Sequence, residues 1–320
     1  MNTSEGKAWH ALAGAKGVGS KTLWLIADYL ANQKKTASWL LQNPDKIRDI
    51  VYGNKACIVM PDFVDQKYAE VAKSRERLIT VLHPLHPDFP QQITKSKDTT
   101  PLPALLYVKG NVAILNRPGV AIVGRRQAGE AALAAADSLA QELAGKGINV
   151  TSGYAAGIDT KAHLAALRAG GTTAIVLAEG IYHFQTKPEL KDHLTVVNTL
   201  VISQFEPDAK WAAYMAMARN KLVGALSGSV VVIVSGLERN ASGSNSGTFN
   251  AAMAALKMSI PVFVVTPDFF AATPLGNQEL IKKGCLEWDP AAGAAPIIAA
   301  SRFSGDKKPP KQFTLFKTSG

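Results

Sequence analysis

GVAIVGRRQAGEAALAAADSLAQELAGKGINVTSG, residues 119–153, decides how the rest of the chain is read. Its first and last few residues, GVAIVG (119–124) and INVTSG (148–153), are short runs with strand character, and a helical stretch separates them. Strands that are apolar throughout are covered on both faces, and alternation with helices makes their sheet mostly parallel. The pattern repeats in TTAIVLAEG (172–180), LVISQF (200–205), SVVVIVSG (229–236) and PVFVVTP (261–267), with DTKAHLAALRAG and SGTFNAAMAALKM among the intervening helices. With right-handed crossovers, residues 119–290 are expected to form a Rossmann-like, doubly wound α/β domain.

Residues 1–75 read differently. The apolar spacing at 9–13, 22–30 and 37–41 is helical, so a small helical domain is expected ahead of the sheet. Residues 76–118 are proline-rich with short apolar runs and read as a connector with two or three short extended segments. Residues 291–320 read as a flexible basic tail.

With 320 residues, 47% of them hydrophobic, the chain can bury a substantial core. No apolar run is long enough to span a bilayer and MNTSEGKAWH does not resemble a signal peptide, so a cytoplasmic location is expected. The formal net charge of +10 favours a polyanionic partner, and without an amphipathic basic helix that partner is nucleic acid rather than membrane. Cys57 and Cys285 stand far apart in apolar surroundings, and none of the six histidines lies in a zinc-binding spacing, so neither a metal nor another cofactor is expected.

Ligands of such a sheet bind at the carboxyl ends of its strands. After the first strand stand Gly124, Arg125 and Arg126: a glycine that lets backbone approach a phosphate, and two guanidinium groups to pair with it. A G-x-G-x-x-G is absent, and the second strand ends in Ser152-Gly153 rather than an acidic residue, which argues against a nicotinamide dinucleotide. The next turn carries Ser152, Gly153, Gly157 and Asp159, the last placed to cap a helix, followed by Lys161 and His163. Arg219, Asn220 and Lys221 lie on the helix before the fifth strand, where a solvated face and a phosphate contact are both open readings. Ser246, Gly247 and Thr248 open the next helix in a loop of small residues suited to an anion. His163 reads equally well as a packed residue. No carboxylate pair, Ser/His/Asp set or Cys/His pair falls at these strand ends, so the crevice reads as one that holds phosphates rather than cutting a bond.

The order G-R-R at 124–126, S-G-x-A-x-G-I-D-x-x-A-H at 152–163, A-L-x-A-G-G-T at 166–172, A-R-N-K-L-V-x-A-L-S at 218–227 and S-G-T at 246–248 resembles the DprA/Smf DNA-processing family. The resemblance runs from Trp9 to about Leu286. It implies a non-enzymatic single-stranded-DNA-binding protein that helps load a RecA-type recombinase in DNA processing, recombination or transformation, on an extended Rossmann fold that commonly forms a homodimer. By motif match, Arg126 falls on the arginine of the family's G-S-R. Gly153, Gly157 and Asp159 fall on its second glycine-rich turn, Arg219 and Asn220 on R-N-R, and Ser246-Gly247 on the last phosphate-facing loop. The chain departs from the pattern at Arg125, at Lys221 and in GIYHFQTKPEL, which lacks the usual aspartate and Tyr-Pro. The residues after 290 are too few for the family's C-terminal winged helix.

Two further segments invite separate readings. Gln312-Phe313-Thr314-Leu315-Phe316 matches the Q-x-x-L-F pattern of peptides that dock on the replication sliding clamp, with Leu315 and Phe316 as anchors and Gln312 fixing register. The alternative is a tail folded back on its own domain. GAKGVGSKT (14–22) approaches a phosphate-binding loop, but Ser20 displaces Lys21 and the preceding residues are helical. It fits a helix-hairpin-helix in which Gly17, Gly19 and Lys21 make an accessory DNA contact, or a hairpin kept only for packing. The runner-up function is a Rossmann-like nucleotide sensor or a relative of phosphoribohydrolases, although Ala251 stands where their catalytic glutamate would be.

Overall fold

All five residues of Gly119–Val123 (β3) are buried, and successive side chains enter opposite cores. Val120 and Ile122 pack with Ala136 and Leu139 of α6 (Glu130–Gly145) and with Ala162 and Ala166 of α7 (Ile158–Arg168). Ala121 and Val123 share the other core with Leu222 and Val223 of α8 (Ala213–Ala225) and with Phe249 and Ala252 of α9 (Gly247–Lys257). A strand covered on both faces has no polar alternation to keep, which is why its sequence is apolar throughout. The computed structural model describes residues 4–15, 17–43, 45–50, 79–96, 102–239, 243 and 245–303.

Among the described residues the sheet has nine strands, in the order β1-β2-β6-β5-β4-β3-β7-β8-β9. β4 (Asn149–Ser152), β5 (Thr173–Val176), β7 (Ser229–Val232) and β8 (Val262–Val265) lie inside the runs read as strands, β6 (Thr199–Ser203) starts one residue before its run, and all of them pair in parallel with one another or with β3. β9 (Leu286–Trp288) extends the parallel set beyond them.

Two of the short extended segments expected in the connector are strands of the same sheet. β1 (Thr80–Leu82) pairs antiparallel with β2 (Leu106–Gly110), and β2 pairs antiparallel with β6. Val81, Leu82, Leu106, Tyr107 and Val108 are buried. These short apolar runs cover an edge of the parallel sheet that would otherwise present unpaired backbone. The helix α5 (Gln91–Ser96) lies between the two strands in the chain.

The expected N-terminal helices are α1 (Ser4–Gly14), α2 (Ser20–Gln33), α3 (Ala37–Gln42) and α4 (Asp45–Ile50). They share one continuous core with the sheet. The Trp24 indole donates to the Leu102 carbonyl (3.3 Å), and the His10 ring meets the Tyr107 hydroxyl at 2.8 Å. Residues 51–75 of the segment expected to be helical, including Cys57, and residues 76–78 of the connector lie outside the described residues.

Residues 291–303 of the tail expected to be flexible are instead packed on the fold. α11 (Ala295–Ala300) buries Ile297, Ser301 bonds Ser229 at 2.7 Å, and Arg302 N–H donates to the Gly228 carbonyl (2.8 Å). The apolar residues of this segment reach the sheet, which composition alone did not reveal. Gln312, Leu315 and Phe316 lie outside the described residues. Among the described residues, no helix is long and apolar enough to cross a membrane.

Candidate nucleic-acid interface

β3 and β7 are neighbours although three other strands separate them in the chain. From β3 the chain leaves to α6 on one face, and from β7 to α9 on the other. Such a divergence opens a crevice at the carboxyl ends of the strands. A cleft of about 480 Å³ occupies that place, lined by Gly124, Arg125, Arg126, Gln127, Asp159, Arg219, Asn220 and Asn245–Thr248 among others.

Two glycines let the loops on its floor close on each other. A Cβ at Gly124 would collide with the Ile158 side chain. Gly157 has φ +77°, and a Cβ there would strike the Arg125 and Arg126 carbonyls. Gly157 is also the N-cap of α7 and offers no side-chain cap, and of the first amides of that helix Ile158 N–H donates to the Arg125 carbonyl (3.5 Å). Arg125 and Arg126 are exposed.

Asp159 does not cap its own helix. Its carboxylate turns back and accepts from the Ala155 amide (3.3 Å), which holds the turn after β4. Burial raises its pKa, and the Arg219 charge and the Ala155 amide oppose that rise. Gly153 separates the two charged groups, and a Cβ on it would strike both the Arg219 guanidinium and the Asp159 carboxylate. Arg219 itself is buried at 9% exposure, and its Nε has no hydrogen-bond partner among the described residues. Burial lowers the pKa of this arginine and Asp159 restores part of it. One residue on, the Asn220 amide donates to the Gly247 carbonyl (2.9 Å). That bond ties α8 to the start of α9, where the Ser246 hydroxyl accepts from the Phe249 amide (3.2 Å).

Other residues proposed from sequence face elsewhere. Lys161 pairs with Asp137 of α6 at 2.9 Å. The Ser152 hydroxyl donates to the Ile122 carbonyl (2.6 Å), within the sheet. His163 is fully buried, and burial lowers its pKa to about 4. The Gly153 carbonyl can only accept, so Nε2 of the neutral ring donates to it (2.6 Å), and Nδ1 lies 2.6 Å from the Thr173 hydroxyl, whose one proton is shared between Nδ1 and the Val150 carbonyl (2.8 Å). Lys161, His163, Lys221 and Ser152 are not among the residues lining the cleft, and Gly153 and Gly157 act there through backbone approach. Gly17, with φ +85°, Gly19 and Lys21 are exposed at the turn between α1 and α2 and are not among them either.

Two residues beside the cleft escaped the reading of the sequence. Lys187 donates to the Thr160 hydroxyl (2.6 Å) and lies 4.6 Å from the centre of the Tyr154 ring. Burial lowers its pKa, Glu189 and Asp159 raise it, and Arg126 lowers it further, so Lys187 belongs to the same electrostatic cluster. Asn277 is fully buried: it accepts from the Ser235 amide (2.8 Å) and donates to the Ile233 and Val265 carbonyls (both 3.0 Å). It thereby staples the loop after β7 to β8. No periodicity marks a loop lysine or a lone helical asparagine for such roles.

The comparisons with known proteins meet this geometry. A family model described as DNA recombination-mediator protein A matches residues 80–290, from the first residue of β1 to the end of the parallel sheet. The chain belongs to this family. It is 31% identical over 185 residues to the DNA processing protein DprA of Bacillus subtilis, covering 57% of this chain and 60% of that one. It is 30% identical over 190 residues to the Smf protein of Escherichia coli, covering 59% and 49%. The matches thus span about half to three fifths of these relatives' lengths. The crystal structure of DprA from Streptococcus pneumoniae shares the fold with a TM-score of 0.73 at 24% identity, covering 95% of this chain and all of that one. A DprA from Helicobacter pylori, described for its mode of binding single-stranded DNA, superposes with a TM-score of 0.57 at 24% identity over 70% of this chain. The DprA/Smf resemblance and the Rossmann-like fold expected from sequence are both present.

Proposed function

We propose that the protein binds single-stranded DNA with phosphates seated in the cleft between β3 and β7, and passes the strand to a RecA-type recombinase. One observation carries the DNA part: Arg219, buried at the cleft with an unpartnered Nε, stands with exposed Arg125 and Arg126 and the amino ends of α7 and α9. A buried guanidinium stays charged and is costly without an anion or a carboxylate near it, and Asp159 supplies just one charge against the arginines and Lys187. Gly153, Gly157, Ser246, Gly247 and Thr248 bring backbone to the phosphates. Asp159 is the one carboxylate among the residues lining the cleft, and it is engaged by Ala155 and Arg219, which supports binding without hydrolysis.

The recombinase partner, a homodimer and a cytoplasmic location rest on family kinship. Clamp docking rests on Gln312, Leu315 and Phe316 alone. A second reading, a bound mononucleotide, is favoured by the cleft's volume, which falls within the range of small-ligand sites, about 300–1,000 Å³.

Anisotropy of a labelled oligothymidine, a duplex and a nucleotide panel over a salt series separates the two. Single-strand affinity should fall with salt at a slope of about −0.7 per phosphate contacted. Arg126→Ala should weaken binding and flatten that slope by about one contact. Nucleotide binding without single-strand binding, or an unchanged slope in the variant, overturns the assignment.

A further inference from the structure

Two large aromatic side chains stand exposed at the start of α8, Trp211 at 52% and Tyr214 at 73%. Trp211 lies just ahead of the helix, whose N-cap is Ala212, and Tyr214 is in its first turn. Because α8 connects two parallel strands, it runs against them, and its amino end stands at the carboxyl rim of the sheet. The next residues of the same helix line the cleft: Ala216, Met217, Arg219 and Asn220. Tyr214 is therefore one helical turn outward from a cleft-lining residue. The exposed aliphatic pair Val196 and Val197 precedes β6 at the opposite end of the strands, while Leu237 and Leu275, exposed at the carboxyl end, belong to the segments after β7 and β8 rather than to α8.

Charge around the pair is mixed. Lys210 adjoins Trp211 and Lys221 follows on the helix. Glu206 and Asp208, earlier in the same loop, act on Tyr107 of β2, toward the outer edge of the sheet. The loop is held by backbone bonds from Gly180 and Tyr182 to Ala209 and Pro207, which fixes where Trp211 emerges.

We infer that Trp211 and Tyr214 form a base-stacking platform, on which bases lie while the adjoining phosphates enter the cleft. The inference rests on the single-stranded-DNA reading and names what recognises the bases. Every base has a π-face, so such a platform adds affinity for unpaired strands without reading sequence, and duplex DNA, with its bases already stacked, gains nothing from it.

The test compares binding of the full chain to oligothymidine and to an abasic deoxyribose-phosphate oligomer of equal length. The wild-type protein should prefer oligothymidine by about tenfold or more. Trp211→Ala/Tyr214→Ala should bind oligothymidine no better than the abasic oligomer, with abasic affinity and salt slope unchanged. Trp211 emission should be quenched by oligothymidine and not by the abasic oligomer. Trp9, Trp24 and Trp288 are buried and Trp39 is half-buried on α3, so the quench assigned to Trp211 is the part lost in Trp211→Ala. Equal wild-type affinity for both oligomers, or a preserved preference in the double variant, overturns the inference and leaves the cleft reading standing. A double variant that changes oligomeric state assigns this face to a contact between copies and also overturns it. Wild-type protein that binds neither oligomer sinks the inference together with the reading beneath it.

Discussion

His163 shows how one residue can belong to a motif without touching its ligand. Its ring lies behind the cleft and fixes the Gly153 carbonyl, on which the close approach of Arg219 and Asp159 depends. Burial lowers the pKa of His163 to about 4, and that of His83, stacked on Trp9, to about 4 as well, against 6.5 for an unburied ring. Between these values the unfolded chain binds protons that the folded protein refuses. The stability of the neutral rings is complete above about pH 6.5 and declines as pH falls toward 4. Asp159, with its raised pKa, works in the opposite sense over the carboxylate range. In urea denaturation, His163→Gln should lower stability at neutral pH by about 2 kcal/mol, the cost of two buried hydrogen bonds. It should also flatten the fall toward acid, and an equally steep fall in the variant would show that the ring carries no such linkage.

At the scale of elements, the cleft depends on loops that are themselves held by buried polar groups. α10 (Leu275–Lys282) carries Asn277 into the core, where one amide joins the ends of β7 and β8. Its neighbour Gly276 lies so close to Gly236 that a Cβ there would strike the Gly236 carbonyl. Asn277→Ala leaves the Ser235 amide unsatisfied and removes two donors, so it should cost about 2–4 kcal/mol in chemical denaturation. Loss of that staple should also weaken single-strand binding, because the loop after β7 leads to Ser246. A variant as stable as the parent would show that solvent replaces the amide. The strands from β3 to β8 were legible because each is buried on both faces. Residues 80–82 and 106–110 were not legible as part of that sheet. Three apolar residues pair wherever an edge is open, and only strand order says where that is.

For the molecule as a whole, the C-terminal segment is part of the fold. Ile297 fills the core shared by α6 and the sheet, and Gly228 packs so closely on Phe303 that a Cβ would collide with its ring. A chain ended after Gly293 should lose about 2–3 kcal/mol from the burial of Ile297 alone and unfold at a lower temperature. A chain ended after Phe303 should keep the parent's thermal midpoint. Equal midpoints for both truncations would place the boundary of the fold before α11.

The sequence by itself determined the parallel sheet, the glycine turns at its carboxyl ends and a basic character suited to a polyanion. Each is written in local spacing: apolar runs of strand length, helical periodicity between them, and glycines where backbones must meet. Only the tertiary structure decided which of the marked residues share a site. It brings Arg125, Arg126, Arg219 and Ser246–Thr248 around one cleft. It turns Lys161 to Asp137, buries His163 behind the cleft and adds Lys187 from a loop with no motif. The reason is physical: side-chain direction and strand order depend on contacts between segments far apart in the chain, and no window of neighbouring residues contains them.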